Sequence, residues 1–215
     1  MTNVTKANLI FDFDGTLVDS GPGILHTLSL VLSARGLQPQ LPLTRDLIGP
    51  PLPVTLRKLA GDVEPVLLDA LVTEFKALYD TQGVKVTQPY AGIVDTITAL
   101  ATAGRRLHLA TNKREVPTLI LLQQLGLMPY FTSVYCLDSR SPGFANKGAM
   151  LQSQLVEQGL LASESLYIGD TNHDEQAAAA ANLPFVAVGW GYGVGVQQVS
   201  ADARLITSPV DLLQL

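Results

Sequence analysis

The sequence predicts an α/β fold: a doubly wound, Rossmann-like parallel sheet with an all-helical cap domain inserted near its N-terminal end. Three observations predict it. From residue 84 onward, apolar runs of strand length alternate with helical stretches of about ten residues, the pattern of parallel strands buried on both faces and joined by crossover helices. One further apolar run, "ANLIFD" at 7–12, precedes that series. Between the two, from about 19 to 83, no strand-length run is evident, and apolar residues recur at helical spacing instead.

Within the inserted segment, Ile24, Leu25, Leu28, Val31 and Leu32 mark one helical face that ends at Gly36. Shorter helical pieces fit Thr44–Leu47 and Val54–Ala60, separated by the rigid "GPPLP" of 49–53. Leu67, Ala70, Leu71, Phe75 and Leu78 mark another face that ends near Gly83. There follow a helix in "GIVDTITALATAG", a strand "RLHLAT", a helix from about Val116 to Leu125 and a strand "SVYCLD". The series closes with a helix from about Gly148 to Gln158, a strand "SLYIGD", a helix through Ala177–Ala181 and a strand "FVAVGW". The expected division is an α/β core of residues 1–18 and 84–215 and a helical cap of 19–83. Such a cap would lie over the carboxyl ends of the strands, where open α/β sheets bind ligands. No internal repeat is present, and the alanine run reads as a closely packed helix surface.

Composition excludes several classes. At 47% hydrophobic and 15% charged residues the chain has material for a core and is not a disordered polyelectrolyte. Net charge is −5 and the 14 basic residues are scattered, so nothing advertises nucleic acid or an anionic membrane surface. The uncharged stretches 116–137 and 182–201 are broken by prolines, glutamines or glycines and do not read as membrane spans. The single cysteine, Cys136, cannot form an internal disulfide and sits in an apolar run as a structural thiol. The opening "MTNVTKAN" lacks the regions of a signal peptide, which makes the expected location cytoplasmic. Oligomeric state is not legible.

The chemistry is concentrated where strands end. Asp12 and Asp14 follow the first strand in "LIFDFDGTLVDS", "ATN" at 110–112 ends the next, and "IGDTNHD" at 168–174 ends another. Acids driven into a buried strand end cost free energy unless a cation meets them. Two acids converging with Asp170 and Asp174 would repel, and a hard divalent cation with oxygen ligands, Mg²⁺, resolves the repulsion. A lone DxD pair would carry little weight; the ordered set at three strand ends carries much more.

These residues resemble the haloacid dehalogenase-like superfamily of phosphotransferases, in its small helical-cap branch that includes phosphoglycolate phosphatase. The resemblance spans nearly the whole chain and rests on "DFDGTLVDS" at 12–20, "ATNK" at 110–113, Lys147 and "GDTNHD" at 169–174. It implies that Asp12 attacks the phosphoryl group to form an aspartyl-phosphate, while Asp14 protonates the leaving group and then activates water. It further implies metal ligation by carboxylate oxygens of Asp12 and Asp170 and the carbonyl of Asp14. Asp174 would bind a metal water or orient Lys147. Thr111 would hold a phosphoryl oxygen with its hydroxyl, aided by the amides of Asn112, Phe13 and Gly15, and Lys147 would stabilise the transferring charge. Gly15 suits a backbone approach too close for a side chain.

Lys147 is weighed against Arg140, the only other basic side chain between Arg114 and Arg204. Relatives often carry proline after this lysine, where this sequence has Gly148. His26 and His108 read as packing residues, His173 as structural or solvent-facing, and Lys113 as a loop residue, with assistance to phosphate binding as its alternative. Arg57, with Arg45 and Lys58, flanks "GPPLP" and is the candidate for a distal anionic group of the substrate. The expected activity is a Mg²⁺-dependent phosphomonoesterase for a small phosphorylated metabolite, with phosphoglycolate the first to test. A sugar-phosphate mutase and a non-catalytic phosphometabolite-binding regulator are the alternatives.

Overall fold

The computed structural model describes residues 6–193, 199–200 and 203–215. Residues 1–5, within the segment on which the missing leader was read, lie outside these. The sheet is built on β1 (Asn8–Phe11), whose four residues are all buried. It is flanked by β4 (Arg106–Thr111) and β6 (Ser165–Gly169), and the full order is β5-β4-β1-β6-β7-β8 with every pairing parallel. Here β5 is Phe131–Cys136, β7 Phe185–Val188 and β8 Arg204–Ile206. From β1 the chain passes to β4 and β5 on one side and returns to β6 on the other. That reversal leaves a crevice at the carboxyl end of β1.

Alternation along β1 sorts the two faces. Leu9 and Phe11 join Leu107, Leu109 and Ile168 in one cluster, packed with α4 (Ile93–Thr102) and α5 (Glu115–Gln124). Ile10 joins Ala110 and Tyr167 in the other, under α6 (Lys147–Glu157) and α7 (Asn172–Ala180). Side chains of period two on a sheet covered on both sides give this division directly. Cys136 is buried at the end of β5, its thiol pushed up to about 12 by burial, as suits an inert packing group.

Between β1 and α4 the chain forms α1 (Gly21–Ala34), α2 (Leu52–Ala60) and α3 (Pro65–Thr81), with short 3-10 turns at Arg45–Leu47 and Gly83–Val86. These helices are entered and left through a two-residue antiparallel ribbon, β2 (Val18–Asp19) against β3 (Gln88–Pro89). The ribbon and β8 are absent from the sequence reading because runs of two or three residues carry no periodicity. Gly23 lets α1 approach the Gly83 turn, since a Cβ there would collide with the Gly83 carbonyl.

Candidate active site

Adjacent strand ends bring the predicted acids together. Asp12 follows β1 and its amide extends the ladder to the Ile168 carbonyl at 2.8 Å. Asp170 follows β6, and Asp174 sits in the first turn of α7. One carboxylate oxygen from each of the three lies within 4.8 Å of the others, and all three side chains are buried. Lys147, first residue of α6, is also buried and donates to Asp12 Oδ1 at 2.8 Å and Asp174 Oδ1 at 2.5 Å. Asn146 fixes that helix start by accepting from the Ala149 amide.

Asp174 is fully engaged. Its Oδ1 also accepts from the Tyr167 hydroxyl at 3.2 Å, and its Oδ2 accepts from the amide and hydroxyl of Thr171 at 3.0 and 2.7 Å. Burial alone would raise its pKa, but Lys147 and Thr171 outweigh burial and hold it below the usual carboxylate range. Burial pushes Asp12 up to about 7 despite Lys147, with Asp174 adding to the rise. Asp170 is raised well above the ordinary value by burial, then by Asp174 and Asp12. Its neighbours are the Tyr192 amide, donating to Oδ2 at 2.6 Å, and the Thr16 hydroxyl at 3.5 Å from Oδ1. Asp170 is therefore the buried carboxylate with no hydrogen-bonded cation among the described residues.

That imbalance fits a divalent metal. The donor set is all oxygen, as a hard cation needs, and Asp12 Oδ2 accepts no hydrogen bond among the described residues while Asp170 has only the weaker, non-bonded attraction of Lys147 against its burial. Asp174 engages both oxygens with Lys147, Tyr167 and Thr171, contacts that hold the lysine ammonium beside Asp12.

The backbone above β1 presents donors. Among the described residues the amides of Phe13, Asp14 and Asn112 meet no protein acceptor. The Gly15 amide departs from expectation: it donates to Val18 O at 2.9 Å and is not available to a phosphoryl oxygen. Gly15 is required for space, because φ is +87° and a Cβ would collide with the Asp170 carboxylate. Thr111 is buried at the end of β4, its Oγ1 accepting from the Lys113 amide at 3.2 Å. Asn112 ties the core to the inserted helices, donating from Nδ2 to Gly49 O at 2.9 Å while its buried Oδ1 has no partner.

Asp14 accepts from the Ser20 hydroxyl at 2.6 Å and from Lys113 Nζ at 2.9 Å. Lys113 lies in the loop after β4, as the sequence suggested, but its side chain is not left to solvent. It is buried, donates to the Tyr79 hydroxyl of α3 at 2.8 Å and lies 4.7 Å from that ring's centroid. The loop "GWGYG" at 189–193 was also missed. Beyond Tyr192 on Asp170, Trp190 Nε1 donates to Thr16 O at 3.0 Å, and the Tyr192 hydroxyl meets the Gly21 amide and Asp19. A Cβ on Gly191 or Gly193 would collide with Gly15 or Asp170. Alternating glycines between aromatics are the signal that could have found it.

Other expectations are not brought to the site. Arg57 is exposed and donates to Val63 O at 3.1 Å, outside the cavity between core and cap helices, because α2 turns its apolar face inward. Arg45 pairs with Asp19, and Arg140 pairs with Glu157 at 3.5 Å over the Phe144 ring. His26 is exposed; His108 is buried on β4, held by Ser133; His173 is exposed at the cavity edge. Gly148 stands where α6 meets α7, with a built Cβ only 3.0 Å from that of Ala180, which accounts for a small residue there.

A parallel sheet whose central strand ends in an aspartate, faced by a lysine, a threonine and two further acids, is an arrangement suited to phosphoryl chemistry at the strand ends. Residues 9–188 match the haloacid dehalogenase-like hydrolases, and the chain belongs to that family; it is an enzyme, a phosphatase. It is 36% identical over 189 residues to a phosphoglycolate phosphatase of Rhodobacter capsulatus, covering 86% of this chain and 84% of the relative. It is 33% identical to the tyrosine-protein kinase PtkA of Mycobacterium tuberculosis, covering 86% of this chain and 62% of that protein. The crystal structure of a predicted phosphatase from Clostridium acetobutylicum shares the fold, with a TM-score of 0.86 at 23% identity over 98% of this chain and 99% of that one. No helix among the described residues is long and apolar enough to cross a membrane.

Proposed function

We propose that the protein is a Mg²⁺-dependent phosphomonoesterase that hydrolyses a small phosphorylated metabolite through an aspartyl-phosphate on Asp12. The observation that carries this reading is Asp170, buried beside Asp12 with no cation of its own. Oxygens of Asp12 and Asp170 and the Asp14 carbonyl would hold the metal, with Asp174 behind Lys147. Bound there, the cation would offset carboxylate and phosphoryl charge and act as a Lewis acid.

Asp12 forms the new bond to phosphorus as the ester oxygen departs with a proton from Asp14; water then attacks phosphorus, gives its proton to Asp14, and releases Asp12. Lys147, the Thr111 hydroxyl and the free amides of Phe13, Asp14 and Asn112 stabilise the transferring oxygens. The helices of 19–83 act as a cap that excludes water; the ribbon of β2 and β3 supports the border at 19, while its pairing of Asp19 with Gln88 favours an exit a few residues beyond 83. A cytoplasmic location is part of the same reading.

Release of inorganic phosphate from a panel of monoesters tests it. Release should need Mg²⁺, stop in excess EDTA and fall by about 10⁴-fold or more in Asp12→Asn. Turnover in EDTA would sink the metal assignment. Transfer without phosphate release would favour a mutase, and transfer from ATP to protein tyrosine would favour the activity named for the mycobacterial relative.

A further inference from the structure

We propose that the cavity takes a phosphate monoester whose leaving alcohol carries an uncharged, apolar body, and that it discriminates against carboxylate-bearing esters such as phosphoglycolate. This rests on the phosphatase reading above. The inference begins with what "GPPLP" lacks. All five residues line the cavity, and Pro50, Pro51 and Pro53 have no N–H to donate. α2 begins in this segment, and its first turn keeps little for an anion: the Val54 and Thr55 amides already donate to Pro51 O at 2.9 and 3.2 Å, which leaves the Leu52 amide as the lone first-turn donor without a protein acceptor among the described residues. Around the segment the wall is hydrocarbon, contributed by Ile24, Leu28, Leu47, Ile48 and Phe75.

Cations are equally scarce for a distal anion. Of the four lysine and arginine side chains bordering the cavity, Lys147 is held by Asp12 and Asp174, Lys113 by Asp14, and Arg114 by Asp80. Lys76 is exposed, where water screens its charge. A carboxylate set against this wall would lose its hydration without gaining a partner, whereas an apolar group would gain by leaving water. Size limits the occupant. The cavity is about 210 Å³, and a cavity of about 150 Å³ holds one benzene ring, so a phosphoryl group fits beside a single ring or a short branched chain.

Phenylphosphonate and phosphonoacetate separate the two classes, because neither C–P bond is hydrolysed and binding is read without turnover. By calorimetry in Mg²⁺, phenylphosphonate should bind at least about tenfold more tightly. Leu52→Lys, which puts a cation on the wall, should shrink or reverse that ratio. If that variant does not fold, Ile24→Ala should weaken phenylphosphonate several-fold and leave phosphonoacetate unchanged. Equal or tighter binding of phosphonoacetate, or binding of neither at millimolar concentration, overturns the proposal. So does loss of tight phosphonoacetate binding in Lys76→Ala, which would identify a distal cation. Failure to release phosphate from both phenyl phosphate and phosphoglycolate would overturn the hydrolase reading instead, and the phosphonate ratio would still decide the ligand class.

Discussion

The cavity has two walls of opposite construction. On the core side, Asp12, Lys147, Asp174 and Asp170 are buried charges from separate strand and helix ends, interlocked through a lysine that serves two carboxylates at once. Opposite them, the cap presents mostly proline rings and aliphatic side chains, and its Tyr79 and Thr55 hydroxyls are already engaged, with Lys113 and with Leu47 O. The difference teaches where change is tolerated. Removing one partner from a buried charge cluster strands the others, whereas an apolar wall asks only for volume. On the function proposed above, chemistry falls to the wall that tolerates little change and selection to the wall that tolerates more.

The strongest way to break this contrast is Lys147→Ala. It should lower kcat by about 10²-fold or more and, without divalent metal, reduce stability to urea by roughly 3–5 kcal/mol because Asp12 and Asp174 then face each other unpaired. Arg140→Ala, at an exposed ion pair, should leave both measurements unchanged. Equal effects from the two would mean that the core wall is not interlocked.

A second test asks whether the core has its own acid limit. His108 is buried on β4, and burial, then Arg106, depresses it to about 4. Depression favours the neutral ring in the folded state, so its contribution is fully present above the unfolded pKa of about 6.5 and is lost as pH falls towards 4. Full protonation would cost on the order of 3 kcal/mol. His108→Asn should therefore flatten the stability profile between these pH values in urea titrations; an unchanged slope would assign acid sensitivity to other groups.

Smaller effects should come from the group that joins the walls. Lys113→Met removes the cation on Asp14 and the link to Tyr79, and should lower kcat/KM by about tenfold. Tyr79→Phe removes only the link and should lower it about two- to fivefold. If Tyr79→Phe matched Lys113→Met, contact between the walls, and not the orientation of Asp14, would be the lysine's contribution.

Sequence alone went far on the core and less far on the cap wall. Asp12, Asp14, Thr111 and Asp170 were legible because their spacing after apolar strands places them at one sheet edge whatever the tertiary detail. The parallel sheet with helices on both faces was legible from the same alternation. Lys113 and Tyr79 were not, since a lysine in a loop and a tyrosine on a helix acquire meaning only when the fold brings together positions 34 apart in sequence. Tyr192 was hidden for the same reason. Arg57 misled because proximity to "GPPLP" in sequence says nothing about which side of a short helix faces inward.

The ribbon of β2 and β3 has a further consequence. The chain enters and leaves the cap through paired residues, Val18 beside Pro89 and Asp19 beside Gln88. Whatever lies between them is a loop whose ends are already joined by the core, so its closure entropy grows only slowly with its length. The cap can therefore be regarded as cargo on a fixed two-point mount. A graft of a longer or shorter helical segment between Asp19 and Gln88 would keep the strand-end centre beneath it provided that it retains Ser20 against Asp14 and a hydroxyl in the place of Tyr79 against Lys113, which makes this fold a chassis for exchanging caps.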